Sequence, residues 1–415
     1  MKENANLLFL FLFKTPIKES EFSLAWYVLF VFLVAGVLLF FAANFAGITS
    51  FIERRIAARI QSRVGPNVVG PQGILQWVAD GIKLLLKEDL VPDRADKFLF
   101  RAAPYFVFSG LFAAFVALPF GYGIVAADLN IGVYYIFAIT SLVVVGIIMG
   151  GWSSNSKWAL FGALRSAAQI ISYEIPTALS LIPVIMLTGS LSTQDIIKAQ
   201  GGMPWDWYLF HSPFTFVCFV IFFISALAEG NRIPFDLPEA ESELVSGYNT
   251  EYSGFRFLIF PMAEWANLWV ISAMVTLAYL GGWQVPFVAI ETLSQSFLLI
   301  FLSAGVFVIK TSIVVFIIIQ LRWTLPRVRV DQMTLVCWTY LVPFCLAAII
   351  GTMIWMLIFP WETLAALLLR LIMSGIGLGF CFLYVQRVRF NYFNDKMAFE
   401  NLKGKSLWYP FWRLP

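Results

Sequence analysis

The chain has 415 residues, of which 60% are hydrophobic and 13% charged, with a formal net charge of +3 and a mean hydropathy of +0.81. Soluble domains carry about 25% charged residues, so this composition excludes a large soluble core and points to an integral membrane protein. The small net charge gives no reason to expect nucleic acid as a partner.

In chain order, the first apolar patch, Leu7 to Phe13, has no basic flank before it and no small-residue cleavage site after it. It therefore reads as a surface-lying stretch within an N-terminal segment, residues 1–22, and not as a cleavable signal. Nine runs are long and apolar enough to be candidate membrane helices: 23–51, 102–121, 131–151, 166–188, 213–230, 257–281, 296–320, 334–359 and 363–385. Continuous apolar runs do not alternate as barrel strands do, which makes the expected class all-α. Pro176, Pro183 and Pro343 predict kinks within spans.

Lysine and arginine set the direction. With the 52–101 loop in the cytoplasm, 22 of the 28 basic residues fall on that side and 4 on the other. The N-terminus is then outside and the C-terminus inside. No internal repeat of the kind that builds many transporters is visible.

Between the first two spans, Arg55, Arg59 and Arg63 recur every fourth residue on a helical extension that Gly65-Pro66 should stop. They read as a basic rim that docks partners or lines a cavity, beyond what orientation alone requires. Ile74, Leu75, Val78, Ile82, Leu85 and Leu86 then fall at helical spacing, with Asp80, Lys83 and Lys87 on other faces. That pattern predicts an amphipathic helix in the membrane surface. Farther on, Arg165 begins a helix and Glu174 lies nine residues deeper, where a carboxylate must be neutral, paired or beside water.

The densest charge follows the fifth run. EGNRIPFDLPEAESE, residues 229–243, holds Glu229, Asp236, Glu239, Glu241 and Glu243 against Arg232 alone. Glu251 and Glu264 extend the acids, and Arg256 adds a second cation. Charge beside a bilayer is costly and marks an ion path, a proton relay or a docking surface. Lys310 lies within the seventh run and needs a counter-ion or water; Arg322, Arg327 and Arg329 flank Pro326 at its end.

Metal and redox ligands are sparse. Cys218, Cys337, Cys345 and Cys381 form no CxxC pair and sit in apolar surroundings, so they read as packing residues. His211, the single histidine, lies at a span edge. No ordinary haem, zinc or iron–sulfur site is expected.

The segments ERRIAARIQSRVGPNVVGPQG, AEGNRIPFDLPEAESELVSGYNTEYSGFRF and RWTLPRVRVDQ together resemble the H subunit family of bacterial respiratory complex I, the counterpart of mitochondrial subunit 1, over about 24–358. The resemblance implies an eight-helix subunit at the junction of the membrane and hydrophilic arms of NADH:quinone oxidoreductase. Quinone would be the substrate, with NADH, FMN and iron–sulfur clusters in partner subunits. It implies a quinone chamber at Glu53, Arg54, Arg55, Arg59, Arg63, Arg165, Arg232, Asp236, Glu251 and Arg256. The implied proton path is Glu174, Glu229, Glu239, Glu241, Glu243, Glu264 and Lys310. Implied partners are the iron–sulfur and quinone-site subunits of the hydrophilic arm and the small and antiporter-like membrane subunits. The implied location is the bacterial inner membrane.

Residues 23–359 would form the family-like membrane domain. Residues 360–415 depart from the family and supply a ninth span, interrupted by Arg370, and a basic cytoplasmic tail. Two other readings stay open at this stage. One is the homologous membrane subunit of an energy-converting hydrogenase; the other is an independent secondary transporter using Glu174 and Lys310.

Overall fold

The computed structural model describes residues 24–238, 241–288, 290–293, 296–360 and 363–401. The described residues are helical and carry no β-sheet, only an isolated bridge between Gly121 and Ile124. The principal helices are α1 (Leu24–Ile60), α2 (Gln76–Leu86), α3 (Lys97–Ala114), α4 (Gly132–Ser153, stepping at Ser141), α5 (Lys157–Thr188), α6 (Pro213–Glu229), α7 (Gly254–Tyr279), α8 (Phe297–Thr324), α9 (Val330–Ile358) and α10 (Leu364–Asn401). Eight of these are long and apolar enough to cross a membrane; α6, at 17 residues, is a shorter apolar helix, and α2 is shorter still.

Local chemistry sets the helix ends. Asp96 caps α3 by accepting from the backbone N–H groups of Phe98 and Leu99. Ser212 and Thr215 form a reciprocal capping box at α6, with Pro213 in its first turn. Gly189 ends α5 in the left-handed conformation that costs a glycine nothing. Pro176 and Pro183 lie inside an unbroken α5. At Pro343 the helix also continues, and the adjustment is a wide π turn at Val336–Leu341 just before it.

Two expectations shift. Arg63 does not share a helical face with Arg55 and Arg59: α1 ends at Ile60 and the chain turns at Ser62, whose φ is 56°. Arg165 does not begin a helix, because α5 starts two turns earlier at Lys157. In both cases the residue pattern fixes the helix boundary only loosely.

The helix α7 is the axis, packing against α1, α2, α3, α6 and α8. Close approach elsewhere depends on small residues. A Cβ on Gly146 would meet Val107 at 2.6 Å, and one on Gly162 would meet the Gly247 Cα at 2.8 Å. The connections sort to two ends. At one end, the 61–96 segment meets Ser253 and Ser153, and Val328 donates to the Pro234 carbonyl. At the other, Thr193 meets Ala117, Trp283 meets Gln194, and Arg370 on α10 reaches Asp206.

Candidate functional site

The first of these ends collects charge. Glu53, on the last turns of α1, is buried. It accepts hydrogen bonds from Arg322 at the end of α8 and from the Trp265 indole N–H of α7 at 2.9 Å. Arg232 lies 3.6 Å away on the loop after α6. Helices far apart in sequence thus converge on one carboxylate. Asp236, on the same loop, pairs with Arg327 at 3.5 Å. Burial raises its carboxyl above the usual aspartate range, opposed by Arg322, Arg327 and Arg232. Arg232 Nε and Nη2 and Asp236 Oδ1 are buried without a hydrogen-bond partner among the described residues. Such groups are costly unless something polar meets them.

Inward from this cluster, Glu264 on α7 accepts from the Tyr248 hydroxyl at 3.1 Å and lies within electrostatic reach of Arg232, Arg322 and Asp236. A second acidic pair lies within the helices. Glu229, at the end of α6, lies within electrostatic reach of the Thr140 hydroxyl and of Glu174 of α5. Glu174 Oε1 has no hydrogen-bond partner among the described residues. Gln169 fixes the turn that joins the two groups, donating to the Ala228 and Phe235 carbonyls at 2.7 Å each and to Asn231 at 3.1 Å.

On the flank, a cavity of about 730 Å³ lies between α1, α2 and α7. Gly47, Ser50, Arg54, Trp77, Phe257 and Trp265 are among its lining residues. Trp265 is therefore shared between the cavity and the Glu53 cluster. Gly47 makes room for the Trp77 ring, which a Cβ there would overlap. Arg54 pairs with Asp80 across the α1–α2 junction. Burial alone would raise Asp80, but hydrogen bonds from Arg54 and Gln76 outweigh it and hold the carboxylate below its ordinary range. Ile82 and Leu85 on the cavity rim are exposed.

The other sequence candidates divide. Arg165 pairs with Glu243 at 2.5 Å and stacks over Phe161. Arg256 pairs with Asp89 at 3.0 Å. Arg55 donates to the Gln72 carbonyl, while Arg59 and Arg63 are exposed. Glu251 is half-buried and makes none of the ion pairs of the cluster. Glu239 and the Glu241 side chain lie outside the described residues, as do residues 1–22 and the Cys381 side chain.

Among the described residues, Lys310 is not brought to a carboxylate. Its ammonium donates to the Leu280 and Gly282 carbonyls at 2.8 and 3.1 Å and lies over the Trp207 ring. It caps the end of α7 opposite the charge cluster, where a helix presents unpaired carbonyls.

Sequence reasoning missed Thr140, Gln169, Asn231, Tyr248 and Trp265, and it noted Arg322 and Arg327 without assigning them to the site. A glutamine inside the apolar run SAAQIISYE was the available signal, since a buried amide needs partners. Nothing comparable distinguished the tyrosine or the tryptophan. Among the described residues no group of three or more His, Cys, Asp or Glu could hold a metal, and Cys218, Cys337 and Cys345 are free.

Comparison with known proteins adds an independent result. Residues 32–353 match the family model described as NADH dehydrogenase. The chain is 49% identical to the NADH-quinone oxidoreductase H subunit of Anaeromyxobacter dehalogenans over 381 residues, 89% of this chain and 92% of the relative. An alignment covering that much of the chain cannot fit within 24–358 and reaches into α10. Identity to the corresponding H subunit of Chlorobaculum tepidum is 47%, covering 81% of this chain and 96% of that one. Identity to that of Rickettsia prowazekii is also 47%, covering 72% and 86%. On a family match spanning most of its length, and on relatives close to half identical, the chain belongs to the family of NADH-quinone oxidoreductase H subunits.

Proposed function

We propose that this protein walls the chamber in which quinone is reduced and passes the energy of that reduction, as proton affinity, toward pumping partners. One observation carries the reading. The cavity between α1, α2 and α7 shares Trp265 with the buried Glu53–Arg232–Arg322–Asp236 cluster. A quinone is an apolar tail bearing a polar head. The cavity volume falls within the usual range for small-molecule sites, and its apolar, partly exposed rim suits the tail. The cluster beyond Trp265 suits the head, with unsatisfied donors on Arg232 and an unsatisfied Asp236 oxygen.

Quinol formation takes up two protons. Negative charge developing in the chamber raises the proton affinity of nearby carboxylates. Asp236 and Glu264 share the Arg232–Arg322 field, and Glu229 faces Glu174 beyond the Gln169-pinned turn. Those four acids are the proposed relay; Arg165–Glu243 and Arg256–Asp89 hold the surrounding loops in place. Glu239, Glu241 and Glu251 complete the proposed acidic funnel, and Arg54, Arg55, Arg59 and Arg63 its basic rim. Lys310 stands apart from this relay.

The same reading covers the topology. Counting α6, whose 17 residues span about 26 Å at the helical rise, the chain would cross the bilayer nine times. The charged end would lie in the cytoplasm, with the N-terminus outside and the C-terminus inside. The helix α2 would lie in the membrane surface. Residues 360–415 would add the ninth crossing and a basic tail to the membrane domain of residues 23–359. Partners would be the iron–sulfur and quinone-site subunits, which carry the redox groups, and the antiporter-like subunits.

Replacement of Trp265 by alanine tests the reading in the assembled complex. NADH oxidation by a lipid-soluble quinone should fall at least about tenfold while reduction of a water-soluble acceptor by the hydrophilic arm persists. Equal retention of both activities would sink the assignment.

A further inference from the structure

The end of the bundle opposite the charge cluster is closed by a layer of buried amides. Gln194, Gln200 and Gln284 are each 3% exposed or less, and Trp283 is fully buried beside them. Gln200 alone binds four backbone groups: it donates to the Leu277 and Ile196 carbonyls and accepts from the Gly281 and Tyr208 N–H groups. Gln284 donates to the Ile197 and Gln200 carbonyls. Gln194 accepts from the Trp283 indole at 3.1 Å and donates to the Gly121 carbonyl at 3.4 Å. Three loops, 118–131, 189–212 and 280–288, are thereby stapled into one layer. Beneath it sits Lys310, its ammonium held by the Leu280 and Gly282 carbonyls against the Trp207 ring.

We propose that this layer is a proton seal, with Lys310 as its electrostatic barrier, so that protons gathered at Glu174 and Glu229 leave sideways into neighbouring subunits and not through the far end of this one. The inference rests on the relay proposed above for its direction, but the seal itself stands on separate residues. A proton crosses a protein by hopping between titratable groups or along a water chain. Amides do not titrate at ordinary pH; the backbone occupies both polar ends of Gln200, the Gly121 carbonyl and the Trp283 indole those of Gln194, and two backbone carbonyls the amide nitrogen of Gln284, which leaves little to recruit water. Between the acids and the layer, the hydroxyls of Ser180, Ser272, Thr276 and Tyr279 each donate to a backbone carbonyl. In its ammonium form, Lys310 in low dielectric repels a second positive charge, the device by which some pores exclude protons.

The test uses the whole complex in vesicles with a trapped pH-sensitive dye, no NADH, and potassium with valinomycin to clamp the potential. After a pH jump, Gln200→Ala and Lys310→Met should each speed passive proton entry about tenfold or more over the native complex. Lys310→Arg, which keeps the charge, should stay near the native rate. If Gln200→Ala blocks assembly, Gln284→Leu and Lys310→Met decide. Assembled variants as proton-tight as the native complex would overturn the seal. A Glu229→Gln complex that pumps normally would instead remove the relay, whatever the leak rates show.

Discussion

Glu53 offers the sharpest test of how the chamber is held. Its carboxylate is buried and shared by Arg322, Arg232 and Trp265. Glu53→Gln keeps the size and the hydrogen-bonding capacity but leaves two guanidinium groups facing a neutral amide. Removing one partner of a buried ion pair costs about 3–5 kcal/mol. The Arg322 side chain is 24% exposed, so water screens part of that loss. The lower bound, about 3 kcal/mol, is therefore the working figure, or roughly a hundredfold in the equilibrium between docked and displaced loop. Hydrogen exchange on the assembled complex should show protection of the Arg232 and Phe235 amides falling by about that factor, because both are bonded within this turn. The KM for quinone should rise in parallel. Adding Arg322→Gln removes one of the stranded charges, so the double variant should lose less than the two single losses combined. Native protection and native KM in Glu53→Gln, or strict additivity in the cycle, would refute the idea that this carboxylate organises the chamber.

Further outcomes follow from the same contacts. Burial raises the Asp236 carboxyl, so the folded state holds its proton more tightly; the associated stability is present at low pH and fades as pH rises through the folded value. Quinone reduction should decline along that alkaline limb, and Asp236→Asn should change the limb in a pH profile. Asp80 has the opposite sign: its depressed value means the Arg54 link across α1 and α2 survives mild acid and is lost only as pH falls through the folded value, which accessibility labelling of α2 would follow. Tyr248→Phe removes the hydroxyl donor to Glu264 and should cost about 1 kcal/mol, read as a several-fold drop in coupled turnover. Gly162→Ala forces its methyl group against Gly247 and should destabilise the 241–250 segment by about 1–3 kcal/mol, measured by thermal melting of the complex.

The sequence by itself determined the class of molecule, because twenty apolar residues in a row have few stable alternatives to a membrane helix. It also located the charged segments: a carboxylate such as Glu174 inside an apolar run is conspicuous whatever surrounds it. What it could not supply was partnership. Glu53 and Arg322 are 269 positions apart, and no spacing rule joins them. Trp265 has an ordinary aromatic place on a helix until its indole is seen between cavity and carboxylate. The family resemblance put Lys310 on the proton path, while its place within a span marks only a charge that needs a counter-ion or water. Only the packed structure showed its ammonium satisfied by backbone carbonyls at the far end of α7. Hydrophobic pattern is local and survives in one dimension. Which donor meets which acceptor depends on helix packing, and packing is decided by all the faces at once.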